Sequence, residues 1–322
     1  MKKKMKKTLF HRAGAVGMAV LMLALCLCAC EPAGRESSCE AAVKIVTTIF
    51  PAYDFAREVG KDFADVSMLL KPGTESHSYD PSPQDMIRIR SCDLFIYVGG
   101  ESDEWVRDLL SSGQQPKRVI ALMDCVETVK EETVEGMTPE EEEGEEEEYD
   151  EHVWTSPKNA EKIVEKITQT LLELAPEKKE TIRKNSDALG KELEKIDASF
   201  QEVVEKAARK TLVFGDRFPF RYFADAYGLT YYAAFPGCSA ETEPSASTIG
   251  FLIDKVRSEK IPVVFTIEFS SGKVADTICE STGAKKLEFH SCHNVSKEAF
   301  EQGVTYVQLM QKNVEHLKEA LS

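Results

Sequence analysis

Four of the chain's six histidines fall at predicted strand ends or loop-to-helix junctions. These four are His77, His152, His290 and His293. Imidazole is the commonest protein ligand for zinc and also suits other first-row divalent metals. Because the four histidines occupy equivalent positions in two halves of the chain, together they predict a metal site more strongly than any single one would. His316, on the charged face of the last predicted helix, is expected to be a solvated surface residue.

The first two of these histidines share a local pattern that places each just ahead of a helix. The segment 64–70 alternates like a strand, a Pro-Gly turn follows, and His77 comes next. Ser82 and Pro83 are then typical of an N-cap and a first helical position. A serine and a proline follow His152 in the same way. His77 is therefore expected near the carboxyl end of a strand, where open α/β sheets bind ligands.

Strands alternate with helices in two separate blocks, which predicts an α/β fold with two lobes. In each lobe the alternation indicates a parallel sheet flanked by helices on both faces. Between the blocks, helical periodicity over 177–209 predicts a helix of about 33 residues, roughly 50 Å long at 1.5 Å per residue. We interpret this helix as a rigid strut that joins the two lobes.

The chain divides into five predicted segments along this plan. They are a signal peptide (1–30), a polar tether (31–42), an N-terminal lobe (43–176), the linking helix (177–209) and a C-terminal lobe (210–322). Within the first lobe, residues 124–151 lose apolar periodicity, which predicts a mobile surface loop. Its acidic run, Glu140 to Glu148, is interpreted either as a weak cation collector or as a solvated spacer.

The first thirty residues have the features of an export signal. A basic segment precedes an apolar run, Ala13 to Leu27, that is short for a membrane span. The run ends in Leu27-Cys28-Ala29-Cys30, which resembles a bacterial lipobox. That resemblance implies cleavage before Cys30 and a diacylglycerol on its sulfur, which would anchor an exported protein to the outer face of the cytoplasmic membrane. An uncleaved signal anchor is the alternative.

The charge balance excludes one class of partner. The whole chain carries 40 Lys and Arg against 55 Asp and Glu, for a net charge of -15. Removal of the signal peptide, with its six basic residues, leaves 34 against 55, a net charge of -21. Nucleic-acid binding needs a basic surface, so this balance argues against nucleic acid and is compatible with a cationic ligand.

Six cysteines follow the lipobox, at irregular spacings without a CxxC zinc pattern. They are Cys39, Cys92, Cys125, Cys238, Cys279 and Cys292. Cysteines of an exported protein can be oxidised, so the sequence leaves open whether two of them form a disulfide.

Several motifs together resemble the zinc/manganese solute-binding lipoproteins of bacterial ABC importers. The resemblance rests on 72–83, 151–160, 243–245 and 264–268 and covers 43–322 in order. It implies two α/β lobes, joined by one long helix, that clamp a divalent metal in the cleft. It also implies that the first two ligands are the histidines of the first two motifs, His77 and His152. A permease with its ATPase would be the partners of a monomeric receptor.

The family's third ligand, usually His or Glu, follows the first strand of the second lobe. Here the corresponding region, 213–223, has no histidine, and Asp216 is the nearest donor. Arg217 beside it would repel a cation unless it were paired elsewhere. A structural role for Asp216, either capping the next helix or binding Arg217, is the alternative.

The family's fourth ligand is a carboxylate after the last strand, and here His290 occupies its place. Replacing an oxygen donor by imidazole favours zinc over manganese. His293 could be the ligand instead, or both histidines could bind. Cys292 is a further candidate, or it could form a disulfide with Cys238.

The resulting hypothesis is a receptor that captures Zn²⁺, with Mn²⁺ as the alternative, and delivers it to an ABC permease. His77 and His152 from one lobe, and His290 with His293 or Asp216 from the other, would form a closed and nearly tetrahedral site. A secreted zinc hydrolase is a rival, but neither HExxH nor GxSxG occurs in the sequence. A surface adhesin is compatible with the lipid anchor. We therefore expect a binding protein and not an enzyme.

Overall fold

Two four-stranded parallel sheets, each packed against helices, form the described part of the chain. The computed structural model describes residues 42–74, 79–113, 115–137, 148–239 and 244–322. The predicted signal peptide with Cys30, the tether up to residue 41, His77 and most of the acidic run lie outside these ranges. None of the helices in the described ranges combines the length and the apolar character needed to cross a membrane.

The first lobe contains strands β1 to β4 and helices α1 to α4. They are β1 (Val43–Thr47), α1 (Phe50–Gly60), β2 (Ala64–Met68), α2 (Pro83–Ser91), β3 (Leu94–Tyr97), α3 (Glu104–Ser111), β4 (Arg118–Ala121) and α4 (Pro157–Leu174). The parallel strands lie in the order β2-β1-β3-β4. Helix α2 begins as its sequence predicts, because the Ser82 side chain accepts a hydrogen bond from the backbone N–H of Asp85.

The second lobe repeats the same sheet order. Its elements are β5 (Thr211–Phe218), α6 (Arg221–Tyr227), β6 (Thr230–Pro236), α7 (Ala246–Ser258), β7 (Val263–Thr266), α8 (Lys273–Thr282), β8 (Lys285–Glu288), α9 (Lys297–Glu301) and α10 (Tyr306–Leu321). In the order β6-β5-β7-β8, the chain adds β6 on one side of β5 and the later strands on the other side, and in the first sheet it does the same around β1. The switch points therefore lie between β5 and β7 and between β1 and β3. Ligands of open α/β sheets bind beyond the carboxyl ends of the strands at such a switch point.

One long helix, α5 (Lys179–Glu205), lies between the lobes in sequence. Its 27 residues give a length of about 40 Å. It is shorter than the predicted 177–209, because Pro176–Lys178 forms a separate 3₁₀ turn and the chain leaves the helix after Glu205. Buried side chains of α5 belong to an apolar core that contains residues of both lobes. The predicted fold class, two parallel-sheet lobes joined by a long helix, is therefore confirmed.

Gly215, in β5, marks a close approach between a helix and the second sheet. A Cβ atom at this position would lie 2.5 Å from the Cα and 2.6 Å from the backbone N of Ala275, in α8. We expect Gly215→Ala to force α8 away from the sheet and to lower the free energy of unfolding by about 1–3 kcal/mol, as overpacking does. Denaturant unfolding followed by circular dichroism would measure this.

Gly190, in α5, provides a control of opposite sign. A Cβ atom there meets nothing within 4 Å among the described residues. Gly190→Ala should therefore raise the free energy of unfolding by about 0.5–1 kcal/mol, since alanine restricts the unfolded chain and favours the helix. Equal stabilities for the two alanine variants would contradict the close packing of α8 on β5.

Candidate metal-binding site

A cavity lies where loops of the two lobes meet at the carboxyl ends of strands. The first lobe contributes two residues and the second lobe contributes the rest. The lining residues are Thr74, His152, Arg217, Pro219, Gly237, Ile267, Glu268, Phe269, Ser291, His293 and Asn294. The second lobe's share comes mainly from the ends of β5, β7 and β8, which include the switch point between β5 and β7.

His152 is held rigidly at this cavity by Asp150. Its backbone N–H and its ring Nδ1 lie 2.8 and 3.2 Å from Asp150 Oδ1, and both side chains are buried. A carboxylate can only accept, so Nδ1 carries the hydrogen of a neutral ring, and the ring's lone pair lies on Nε2, the atom that would bind a metal. Burial alone would lower the pKa of His152, but Asp150, followed by Glu151 and Glu131, raises it above its ordinary value. These three carboxylates thus favour a positive charge at His152.

His293 lies against His152 from the other lobe. The two ring centroids are 5.6 Å apart and the rings are nearly perpendicular. The indole of Trp154 contacts both, with centroids 5.5 Å from His152 and 4.9 Å from His293. Two of the four histidines singled out by the sequence are therefore brought together.

Trp154 also ties the two lobes directly. It is fully buried, and its Nε1–H donates to the carbonyl oxygen of Ser291 at 2.8 Å. The hydroxyl of Tyr306, in α10, donates to the carbonyl oxygen of Trp154 at 2.8 Å. The segment that carries His152 and the loop that carries His293 are consequently fixed relative to each other.

His290 does not line this cavity and is engaged elsewhere. Its backbone N–H and carbonyl pair with the amide side chain of Asn313 at 2.9 and 2.8 Å. Its Nδ1 accepts from the backbone N–H of Cys292 at 2.9 Å, which leaves the hydrogen of a neutral ring on Nε2. Neither nitrogen then offers a free lone pair. Of the two alternatives for the place of the family's carboxylate, the structure thus puts His293 at the cavity and His290 outside it.

Asp216 is likewise turned away from the cavity. Its carboxylate accepts from Thr266 Oγ1 at 2.8 Å and from the backbone N–H of Arg217 at 2.9 Å. The register of β5 against β6 shifts between Phe214 and Arg217, and such a bulge re-aims the side chains around it. Arg217, and not Asp216, lines the cavity. Asp216 thus has structural partners, but it does not cap helix α6, and its bond to Arg217 involves only the backbone.

The cysteines contribute no disulfide within the described ranges. Cys92, Cys125, Cys238, Cys279 and Cys292 are all free, so the suggested bridge between Cys238 and Cys292 is wrong. Burial raises the pKa of both of these thiols well above its ordinary value. Because the thiolate is the form that binds metals, this environment also disfavours Cys292 as a ligand. Cys39 lies outside the described residues.

The described stem of the predicted loop 124–151 is hydrogen-bonded within itself and to the second lobe. The backbone N–H of Asp150 donates to the carbonyl oxygen of Val129 at 2.9 Å, and that of Glu131 donates to the carbonyl oxygen of Glu148 at 3.0 Å. The hydroxyl of Tyr222, in α6, donates to the carbonyl of Asp150 at 2.7 Å and accepts from the backbone N–H of Val129 at 3.2 Å. In addition, Glu131 accepts from the backbone N–H of Cys238. Composition could not reveal these partners, which come from the second lobe.

Two further residues, His316 and Asn294, make contacts that the sequence did not predict. His316 is half-buried and its Nδ1 lies 2.6 Å from the carbonyl oxygen of Glu288, so it is not a purely solvated residue. Asn294, which the sequence interpretation did not single out, donates from Nδ2 to the carbonyl oxygens of Lys71 and Thr74, both at 2.8 Å. It thereby holds the residues just before His77 at the cavity.

The described residues do not by themselves form a complete metal site. Among them, no three His, Cys, Asp or Glu residues are placed to hold one metal ion. His152 and His293 are the pair that the cavity offers, and His77 lies outside the described ranges. Glu268 lines the same cavity, but the sequence interpretation gave it no role beyond its place in the motif 264–268. Its position directly beyond the buried end of β7 was the available signal.

Comparison with known proteins agrees with this architecture. The profile of the family described as zinc-uptake complex component A, periplasmic, matches residues 45–320. The zinc-binding lipoprotein AdcA of Streptococcus pneumoniae is 32% identical over 304 residues, which cover 94% of this chain and 60% of that protein. The high-affinity zinc uptake system protein ZnuA of Bacillus subtilis is 31% identical, over 92% of this chain and 94% of that protein. The chain thus spans about 60% of the length of AdcA but nearly all of ZnuA.

Solved structures of similar proteins have the same fold. The Zn(II)-bound ZnuA-like domain of Streptococcus pneumoniae AdcA matches with a TM-score of 0.71 and 31% identity, over 87% of this chain and 99% of that one. The laminin-binding protein Lmb of Streptococcus agalactiae, described as having adhesin and metal transporting activity, matches with a TM-score of 0.73 and 26% identity, over 87% and 100%. On the family profile and the similarity to ZnuA, the chain belongs to the family of the periplasmic zinc-uptake complex component A.

Proposed function

We propose that this protein is an extracytoplasmic receptor that captures Zn²⁺ between its two lobes and delivers it to an ABC permease. The observation that carries the proposal is the pair His152 and His293, whose rings come from different lobes and lie 5.6 Å apart at one cavity. Two imidazoles on one tetrahedral zinc, with Zn–N distances of about 2.0–2.1 Å, have ring centroids about 5 Å apart. The observed spacing therefore suits a shared ion.

His77 is the proposed third ligand. Thr74, three residues before His77, lines the cavity and is held there by a hydrogen bond from Asn294. Three residues of extended chain reach at most about 10–11 Å, so an imidazole at position 77 is within range of the cavity. With three imidazoles the donor set favours zinc over manganese, which prefers oxygen ligands. We leave the fourth position to water.

The family and the amino-terminal sequence support a proposal for the cellular setting. Members whose names describe zinc uptake and lipoproteins support an exported receptor that works with a membrane transporter. We propose that Cys30 carries the lipid anchor and that the permease and its ATPase are the partners. Catalysis is not part of the proposal, because the site is assigned to bind and release its cargo. Adhesion is a second candidate, since the similar protein Lmb is described as an adhesin as well.

Zinc titration of metal-free protein tests this function. At pH 7.5, in competition with a chromophoric chelator, we expect one tightly bound zinc per chain and much weaker binding of manganese. His77→Ala should weaken zinc binding about 100-fold or more, because structural zinc sites bind with about 10–16 kcal/mol shared among their ligands. His316→Ala is the matched control and should bind zinc like the wild type. Wild-type protein without tight zinc binding, or an unaffected His77→Ala variant, would contradict the proposal.

A further inference from the structure

The side chain of Glu268 connects the ends of two neighbouring strands beside the cavity. It follows β7, is 7% exposed and lines the cavity. Its Oε2 accepts from the backbone N–H of Ser291 at 2.8 Å, and its Oε1 accepts from the Ser291 hydroxyl at 2.5 Å. Oε1 also accepts from the backbone N–H of His293 at 3.2 Å. One buried carboxylate thus binds three donors of the loop that carries His293.

The backbone on both sides of this carboxylate is in an unfavourable conformation. Phe269, next to Glu268, has φ of +61°, and Cys292, next to His293, has φ of +63°. For a residue with a side chain, this left-handed region costs about 1–2 kcal/mol. Such residues persist only where the surroundings fix them, and they cluster at functional sites. The hydrogen bonds to Glu268 are among the interactions that hold the loop of Cys292 in this conformation.

The turn at Cys292 decides which histidine faces the cavity. It places His293 against Trp154 and His152, and it places His290 against Asn313. Without the bonds to Glu268, the strain at Cys292 would favour a different loop conformation. The position of the His293 ring therefore depends on a side chain from the neighbouring strand.

We propose that Glu268 is a positioning residue for zinc capture, which holds His293 at the site and places a buried negative charge beside the bound cation. This inference rests on the proposed function. Both oxygens of Glu268 accept hydrogen bonds from the loop of His293, so we assign its role to holding His293 and to its charge, and not to coordination. Because the site is buried, the attraction between the Glu268 carboxylate and the cation is screened much less than it would be in water.

Zinc affinities of Glu268→Gln, His293→Ala and the double variant test this role. Glutamine keeps the shape but turns one acceptor into a donor that faces the donors of Ser291. We expect Glu268→Gln to weaken zinc binding about 10- to 100-fold, the usual effect of losing a group that orients a metal ligand. In the His293→Ala background the same change should cost much less, because residues that act through one another are not additive.

Two further variants keep the test decisive. Glu288→Gln changes a carboxylate at the end of the adjacent strand β8, whose partner is Lys312, and should leave zinc affinity unchanged. Ser291→Ala removes the hydroxyl that donates to Glu268 and accepts from the backbone N–H of His293. It should weaken zinc binding by a smaller factor, which supports the role of this bonded loop even if Glu268→Gln fails to fold. Wild-type affinity in both Glu268→Gln and Ser291→Ala, or full additivity with His293→Ala, would overturn the inference. Absence of zinc binding by the wild-type protein would instead overturn the proposed function, and this inference with it.

Discussion

His152→Ala and His293→Ala are each expected to weaken zinc binding about 100- to 1,000-fold. The reason is the shared cavity, where the two rings lie 5.6 Å apart. The binding free energy of about 10–16 kcal/mol typical of structural zinc sites, divided over four ligands, gives about 2.5–4 kcal/mol for each. Competition titration of metal-free protein at fixed pH measures this loss. The pH must be fixed, because imidazole has to lose its proton to bind a metal.

His290→Ala is the matched control for this experiment. It removes an imidazole three positions away in the same loop, but one whose Nδ1 accepts from Cys292 and whose backbone pairs with Asn313. We expect a change in zinc affinity of only a few-fold, together with a lower thermal stability. A result in which His290→Ala loses zinc binding and His293→Ala keeps it would reverse our assignment of the loop.

The architecture could be predicted because it depends on signals that are local in the sequence. Alternating strands and helices indicated parallel sheets, and the serine and proline after each loop marked the starts of α2 and α4. His152 was found in this way, since it comes directly before a short 3₁₀ turn and helix α4. The length of α5 was overestimated at both ends, where helix boundaries depend on the neighbouring elements.

The composition of the site could be predicted only in part, because side-chain direction depends on distant residues. A left-handed turn at Cys292 determines whether His290 or His293 faces the cavity. Hydrogen bonds to the carboxylate of Glu268, which lies beyond the neighbouring strand β7, stabilise this turn. The choice between Asp216 and Arg217 is made by the register shift in β5, since a shift of one residue exchanges the two faces of a strand. Neither feature leaves a local pattern in the sequence.

Trp154→Phe is expected to lower the free energy of unfolding by about 2–4 kcal/mol and to weaken zinc binding. Trp154 is fully buried, so the smaller ring leaves a cavity, and the carbonyl of Ser291 loses its hydrogen bond from Nε1. The same substitution removes the surface against which both histidine rings pack. Chemical denaturation without metal and zinc titration of the folded variant would measure the two effects separately.

Trp105→Phe, in α3, is the control for this last experiment. Trp105 is half-buried, and its Nε1 has no hydrogen-bond partner among the described residues, so the substitution removes no bond and should cost about 1 kcal/mol or less. Because the chain has two tryptophans, Trp105→Phe also leaves Trp154 as the single fluorophore beside the site. We expect zinc to change its emission, since the indole contacts both proposed ligands. Equal stability losses in the two variants, or an emission that zinc does not alter, would contradict the position of Trp154 between the lobes.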